Sequence, residues 1–169
     1  MESMPTEASV LSRHSRPATL QDALKQASRL RVEDRRELEG SGWNPVLALY
    51  FSVAHSTDPL VYITRSGSVG GFAGVVDEGQ GIGRVWLLCT DAVRENPVTF
   101  YRAAKEWLAS LNYTMLHNVA DPRNKLHLKL LHKLGFKKLS FVTVGPEKRT
   151  YVEFAKLCAP LSQSALQVP

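Results

Sequence analysis

The hydrophobic positions change their period along the chain. Leu20, Ala23, Leu24, Ala27 and Leu30 recur at helical spacing behind Thr19 and Asp22, which are spaced as a capping box, and predict a helix over 20–30. A charged segment, 31–39, reads as a second short helix stopped by Gly40. Asn44-Pro45 opens an apolar helix to about His55, with the proline suited to a first turn. Beyond it the period shortens: 60–64 and 71–76 read as strands around a turn at 66–70, and 85–90 as a buried strand after a Gly-rich turn at 78–83. Pro97 introduces a helix over 98–111, and 113–119 returns to strand. Asp121 or Asn124 caps a further helix that closes at Gly135, and 136–142 and 150–157 make the last strands. Three helices, a three-strand meander, then helix–strand–helix–strand–strand predict an α+β fold with one mixed, mostly antiparallel sheet flanked by helices.

The pattern fades at both ends. Residues 1–15 are polar and aperiodic and read as a flexible arm, 16–158 as a single domain, and 159–169 as a loose C-terminal tail. A chain of 169 residues buries roughly 70% of its unfolded surface, so its core needs no staples. The 44% hydrophobic and 22% charged fractions exclude global disorder. The longest apolar run, Val46 to Phe51, is far short of the ~20 residues of a membrane span. The first residues, with Glu2, Thr6, Glu7 and Ser9, hold no apolar stretch of a secretory signal. Cys89 and Cys158 lack metal spacing and fit a reduced, intracellular protein. His14, His55 and His117 show no metal spacing either, and no metal site is expected. Trp43, Trp86 and Trp107 are expected in or near the core.

The net charge of +5 is unevenly spread. Arg123, Lys125, Lys129, Lys133, Lys137 and Lys138 lie in one stretch with no acid between Pro122 and Ser140, and 125, 129 and 133 form a stripe on one helix face. His127 and His132 add further potential charge. The stripe is either a solvated face or a contact for nucleic-acid or coenzyme phosphates or for an acidic protein surface. Gly79-Gln80-Gly81-Ile82-Gly83 looks like a phosphate loop, but a strand follows it rather than a helix, so it is expected to be a hairpin turn.

Asn124 behind a strand, Leu134-Gly135-Phe136 at the end of the next helix, and Arg16-Pro17-Ala18-Thr19 with Asp22 resemble the GNAT N-acetyltransferases over about residues 16–157. The resemblance implies a GNAT-like fold and, in an active member, an acetyl-CoA site formed by Leu88, Cys89, Thr90 and Asn124. Two departures weigh against activity. The loop that would hold the coenzyme diphosphate, 91–97, contains no glycine, two acids and a proline. The position that carries a proton-donating Tyr in many members is Leu131, and the neighbouring His132 points about 100° away around the helix. No general base stands out, Asp91 and Cys89 reading better as a loop acid and a buried thiol.

The same residues, with Trp86-Leu87-Leu88, Thr90, Phe100-Tyr101-Arg102 and Asn118-Val119, also resemble the GNAT-like internal virion proteins of short-tailed phages. That resemblance implies a virion-associated protein, at the portal or in genome delivery, with a degenerate coenzyme site and no cofactor. Its partners would be other virion proteins, portal subunits or a second copy of itself, with DNA contacted through the basic helix, in the virion and in the host cytoplasm during assembly. The alternative is an acetyl-CoA-dependent N-acetyltransferase with an atypical loop, acting on a host protein or small amine. In that case loss of the Tyr is tolerable, because holding amine and thioester together supplies much of the rate.

Overall fold

A computed structural model describes residues 9–158. The arm 1–8 and the tail 159–169 expected from the sequence lie outside the described residues. The expected arm ends sooner than residue 15: α1 (Val10–His14) is a short helix capped by Ser9, and the Glu106 carboxylate accepts the N–H groups of Val10 and Leu11 (3.4 and 3.0 Å). Those donors would otherwise be orphans at a helix start. Leu11 packs on the core, an anchor that the short apolar pair Val10-Leu11 in a polar stretch does not advertise.

Strand β1 (Ser15–Pro17) leads to α2 (Leu20–Gln26), whose capping box between Thr19 and Asp22 is complete in both directions. Arg16 grips the Asp22 carboxylate with two nitrogens (2.7 and 2.9 Å), and that hydrogen bond holds the carboxyl far below its ordinary range. The helix does not run to residue 30 as its periodicity predicts. It tightens into a 3-10 turn at Ala27–Arg29, and Leu30 is extended, bridging Thr90. The tertiary contact of Leu30 with the central sheet overrides the local period. Then follow α3 (Val32–Gly40) and α4 (Pro45–His55), the latter capped by the Asn44 side chain.

The sheet strands are β2 (Thr57–Ile63), β3 (Val69–Gly79), β4 (Ile82–Cys89), β5 (Met115–Ala120), β6 (Lys137–Val144) and β7 (Arg149–Leu157). A 3-10 turn (Asp91–Glu95) and α5 (Pro97–Ser110) join β4 to β5, and α6 (Lys125–Lys133) joins β5 to β6. The order β1-β2-β3-β4-β5-β7-β6 is antiparallel at every step but one: β4 and β5 are parallel. The α+β, mostly antiparallel plan predicted from the sequence is the one found. β3 and β4 extend beyond their predicted ends because they run to a two-residue hairpin at Gln80-Gly81. Both turn residues have positive φ (+54° and +76°), as a type I′ turn requires, and this is the Gly-rich segment read as a turn above.

Two cores flank the sheet. On one face, α2, the 3-10 turn after it and α4 bury Ala23, Ala27, Leu49 and Val53 against Val61, Phe72 and Leu88. On the other, α5 and α6 bury Trp107, Leu108, Leu131 and Leu134 against Val75, Val85, Leu116 and Phe154. α6 ends as predicted: Gly135 takes φ +92°, Phe136 N–H donates to the Leu131 carbonyl (3.0 Å), and the Phe136 ring is buried. Trp107 is in the core and Trp86 is partly buried. Trp43, expected in or near the core, is 52% exposed, because it precedes α4 at the rim of a cavity rather than beneath a helix.

Candidate functional site

The parallel pair β4–β5 is short. It registers only at Ile82↔Met115, Gly83↔Leu116 and Arg84↔His117, after which the strands part. Asn118 sits where they separate. Its Nδ2 donates to the Val85 carbonyl (2.8 Å), so a side chain takes the place of the next rung of the ladder. Beyond it a cavity of about 690 Å³ runs through the gap, reached on one side by Phe100, Ala103, Leu130 and Leu131 of α5 and α6 and on the other by Trp43 and Phe51.

The ladder alternation says what β4 shows this gap. Thr90 N–H donates to the Gly70 carbonyl, so residues 90, 88 and 86 direct their peptide groups to β3, and 89, 87 and 85 direct theirs away from it. Val85 carbonyl is held by Asn118. At Cys89 the carbonyl accepts Arg31 N–H (2.8 Å) and the N–H donates to Asp34 Oδ2 (2.8 Å). Between them the Leu87 N–H and C=O face the gap with no partner among the described residues. A bound segment with amide groups can add there as a short strand.

The start of α3 closes the far end of the gap and brings a buried polar cluster with it. Asp34 is buried, and its other oxygen accepts Asn124 Nδ2 (3.0 Å), which also approaches Glu37 Oε2 (3.3 Å). Burial pushes the Asp34 carboxyl up, against the downward pull of the Cys89 N–H and of Arg31. His127 Nδ1 stands 3.7 Å from Glu37 Oε2, and its ring meets Phe154 edge-on. Burial depresses the imidazole, but the Glu37 carboxylate, joined by Asp34, more than offsets it, and the net shift is upward. Tyr151 donates to the Glu37 carbonyl (2.7 Å) and burial, then the charges of Asp121 and Glu37, push its hydroxyl up to about 12. This contact needs Gly40, where a Cβ would lie 2.5 Å from the hydroxyl oxygen. Tyr151 is therefore a fixed prop, whereas the Glu37–His127 pair can hold or move a proton at the cavity wall.

The four residues expected to form the coenzyme site are brought together unequally. Leu88 lines the cavity. Cys89 and Asn124 meet on the Asp34 carboxylate behind the lining, and Asn124 occupies the cap position of α6 without capping it, its side chain turned inward. Burial raises the Cys89 thiol well above its usual range, so it is no nucleophile. Thr90 donates to the Val69 carbonyl (2.6 Å) and caps the following 3-10 turn. The residues not singled out as a site are Leu87, Asn118, Glu37 and His127. Of these His127 carries a signal in the sequence, lying three residues after Asn124 and so on the same helix face, although the lysines around it make it read as part of the basic stripe.

The first turn of α5 does not fit a diphosphate. Pro97 has no N–H, the Thr99 N–H is already taken by Asn96 Oδ1 (3.0 Å), and the turn before it holds Asp91, Glu95 and an Arg94 that is paired with Glu33 (3.4 Å). On the outer face of α6, Lys125, Lys129 and Lys133 are exposed and unpaired among the described residues, as are Lys137 and, stacked 4.2 Å over the Phe141 ring, Lys138. Arg123 is spent on Asp121 (2.7 Å).

No family model and no curated protein sequence matches the chain. Solved structures do. AAC(6')-Ib in complex with paromomycin and acetyl-CoA shares 18% identity over 85% of this chain and 92% of its own, with a TM-score of 0.60. A GNAT-family acetyltransferase from Streptococcus pneumoniae shares 17% over 86% and 98% (TM-score 0.56). A chimera of the spermidine N-acetyltransferase from Vibrio cholerae and hSSAT shares 10% over 85% and 93% (TM-score 0.62). The fold is the GNAT fold. These neighbours overturn the expectation of a virion structural protein: each is an acetyltransferase, and nothing in the likeness points to a phage particle. The expectation of no cofactor likewise loses its support, since one neighbour was solved with acetyl-CoA bound.

Proposed function

We propose that the chain is an N-acyltransferase that takes an acyl thioester of pantetheine, acetyl-CoA being the simplest donor, into the gap between β4 and β5. The observation that carries this reading is the unpaired Leu87 peptide facing a cavity held open by Asn118. A pantetheine arm has two amides, and the Leu87 N–H and C=O would bind it as β4 binds β3. The donor supplies an activated acyl carbon; the chain positions it. An amine acceptor enters from the side of Trp43 and Phe51, toward the carboxylate of Glu37. His127, backed by Glu37 at 3.7 Å, receives the proton the amine loses, and the same carboxylate favours the imidazolium that forms. Asp34 and Asn124 fix the base of that pair by tying α3 and α6 to the end of β4.

Calorimetric titration with acetyl-pantetheine and with acetyl-CoA tests the reading. Saturable binding of either, competed by the free thiol, is expected; no heat from both at about millimolar ligand, equivalent to less than ~4 kcal/mol of binding, sinks it.

A further inference from the structure

The gap accepts a pantetheine arm, but the turn where a coenzyme diphosphate would follow offers it two acids, an arginine, Arg94, already paired with Glu33 (3.4 Å), a proline and an N–H already in use. A donor that lacks the nucleoside diphosphate resolves the mismatch. Its arm would leave the cavity between α5 and α6, whose Phe100, Leu130 and Leu134 line the passage. There Tyr101, one turn into α5, donates to the Lys133 carbonyl (3.3 Å), so the last turn of α6 lies beside the first turns of α5. Lys133 and Lys129 thus flank the exit, with Lys125 one turn further back, all exposed and without ion pairs among the described residues. A stripe of point charges spaced by single helical turns matches an acidic helix better than a single phosphate.

We infer, building on the acyltransferase reading, that the donor is an acyl group on the phosphopantetheine arm of an acidic carrier protein docked on the lysine stripe of α6. In the transfer the acceptor nitrogen forms a C–N bond to the acyl carbon and the C–S bond breaks. Sulfur leaves with the electron pair, the proton lost by nitrogen passes by way of His127 to the thiolate, and the products are an amide and the carrier thiol. The single phosphate of the arm then lies outside the gap, beside Lys133, and the acidic turn at Asp91–Glu95 is left to solvent.

The test measures binding of an acetylated phosphopantetheinyl carrier protein by fluorescence anisotropy, beside acetyl-CoA, acetyl-pantetheine and a short DNA duplex. The carrier is expected to bind at least about tenfold more tightly than acetyl-CoA, with an affinity that falls steeply with salt. Lys129→Glu with Lys133→Glu should abolish that advantage, while the same charge change at Lys25, on the opposite face, should not. Acetyl-pantetheine, uncharged and without a carrier, reports whether the gap is intact in each variant. Acetyl-CoA binding as tightly as the carrier, no effect of the charge reversal, or DNA bound through the same lysines in place of the carrier overturns the inference and leaves the acyltransferase reading standing. Silence of every thioester removes both.

Discussion

Replacing Asp34 by alanine puts a number on how tightly α3 is tied to the end of β4. The carboxylate accepts the Cys89 N–H at 2.8 Å and the Asn124 amide at 3.0 Å and lies 3.8 Å from Arg31. Its removal leaves the buried Cys89 N–H without an acceptor, costing about 1–3 kcal/mol, leaves the Asn124 amide with the Glu37 carboxylate alone, and takes one of two carboxylates from a buried guanidinium. Burial, which pushes the Asp34 carboxyl up, means that the charge itself costs something, and this offsets part of the loss. About 3 kcal/mol remains. For a domain of this size that is roughly 6–12 °C in Tm, and a large share of a stability of about 5–15 kcal/mol. Urea unfolding followed by circular dichroism at pH 7 measures it, with Glu39→Ala on the exposed side of α3 as a control expected within about 0.5 kcal/mol of the parent. Asp34→Asn, which keeps one carbonyl oxygen, should fall between the two. A loss below about 1 kcal/mol for Asp34→Ala would mean that water replaces the carboxylate, and the sealed cluster behind the gap would have to be abandoned.

The imidazole of His127 is raised above 6.5 in the fold, so its contribution to stability is complete below the unfolded value and fades as pH climbs through the raised one. His127→Gln should therefore cost more at pH 6 than at pH 8 in parallel melts, and should slow acyl transfer to a panel of primary amines about 10²–10⁴-fold, read by thiol release; equal losses at both pH values argue against the Glu37 pairing. Asn118→Leu removes the donor to the Val85 carbonyl and should cost about 1–3 kcal/mol while weakening acetyl-pantetheine binding; unaltered binding would show that the mouth of the gap does not depend on that side chain. Gln80→Asn suits positive φ better and should raise Tm by an amount equivalent to about 0.5–1 kcal/mol, a gain that disappears if the hairpin is not type I′.

What could be read from the chain beforehand was whatever is encoded within a few residues. Thr19 with Asp22, Asn44-Pro45, and Gly135 before Phe136 each announce a helix end through a local hydrogen bond, and each is where the sequence places it. The break of α2 at Ala27 was not legible, because it is imposed by Leu30 reaching Thr90 sixty residues away. The same holds for the gap. Leu87 is an ordinary apolar strand residue, and only the parting of β5 leaves its peptide unpaired. Asn124 was flagged for its position in a motif, but its partners Asp34 and Glu37 belong to a segment that reads simply as a charged helix. His127 is visible in the sequence but not its role, since a basic stripe hides one inward-facing imidazole among outward-facing lysines. The virion reading rested on short matches that the neighbouring structures do not bear out.

The order of the last strands has a consequence for how the molecule is made. β7 lies between β5 and β6 and carries Tyr151, Val152 and Phe154 into the core, so β6 leaves the ribosome with no neighbour to pair with. Until residue 157 has been synthesised, β5 keeps an unpaired edge and β6, with Leu139 and Phe141 exposed, is a free hairpin arm. Nascent chains are thus open to strand exchange with one another over that interval. Chains shortened by even one strand should aggregate during expression rather than fold into a smaller domain.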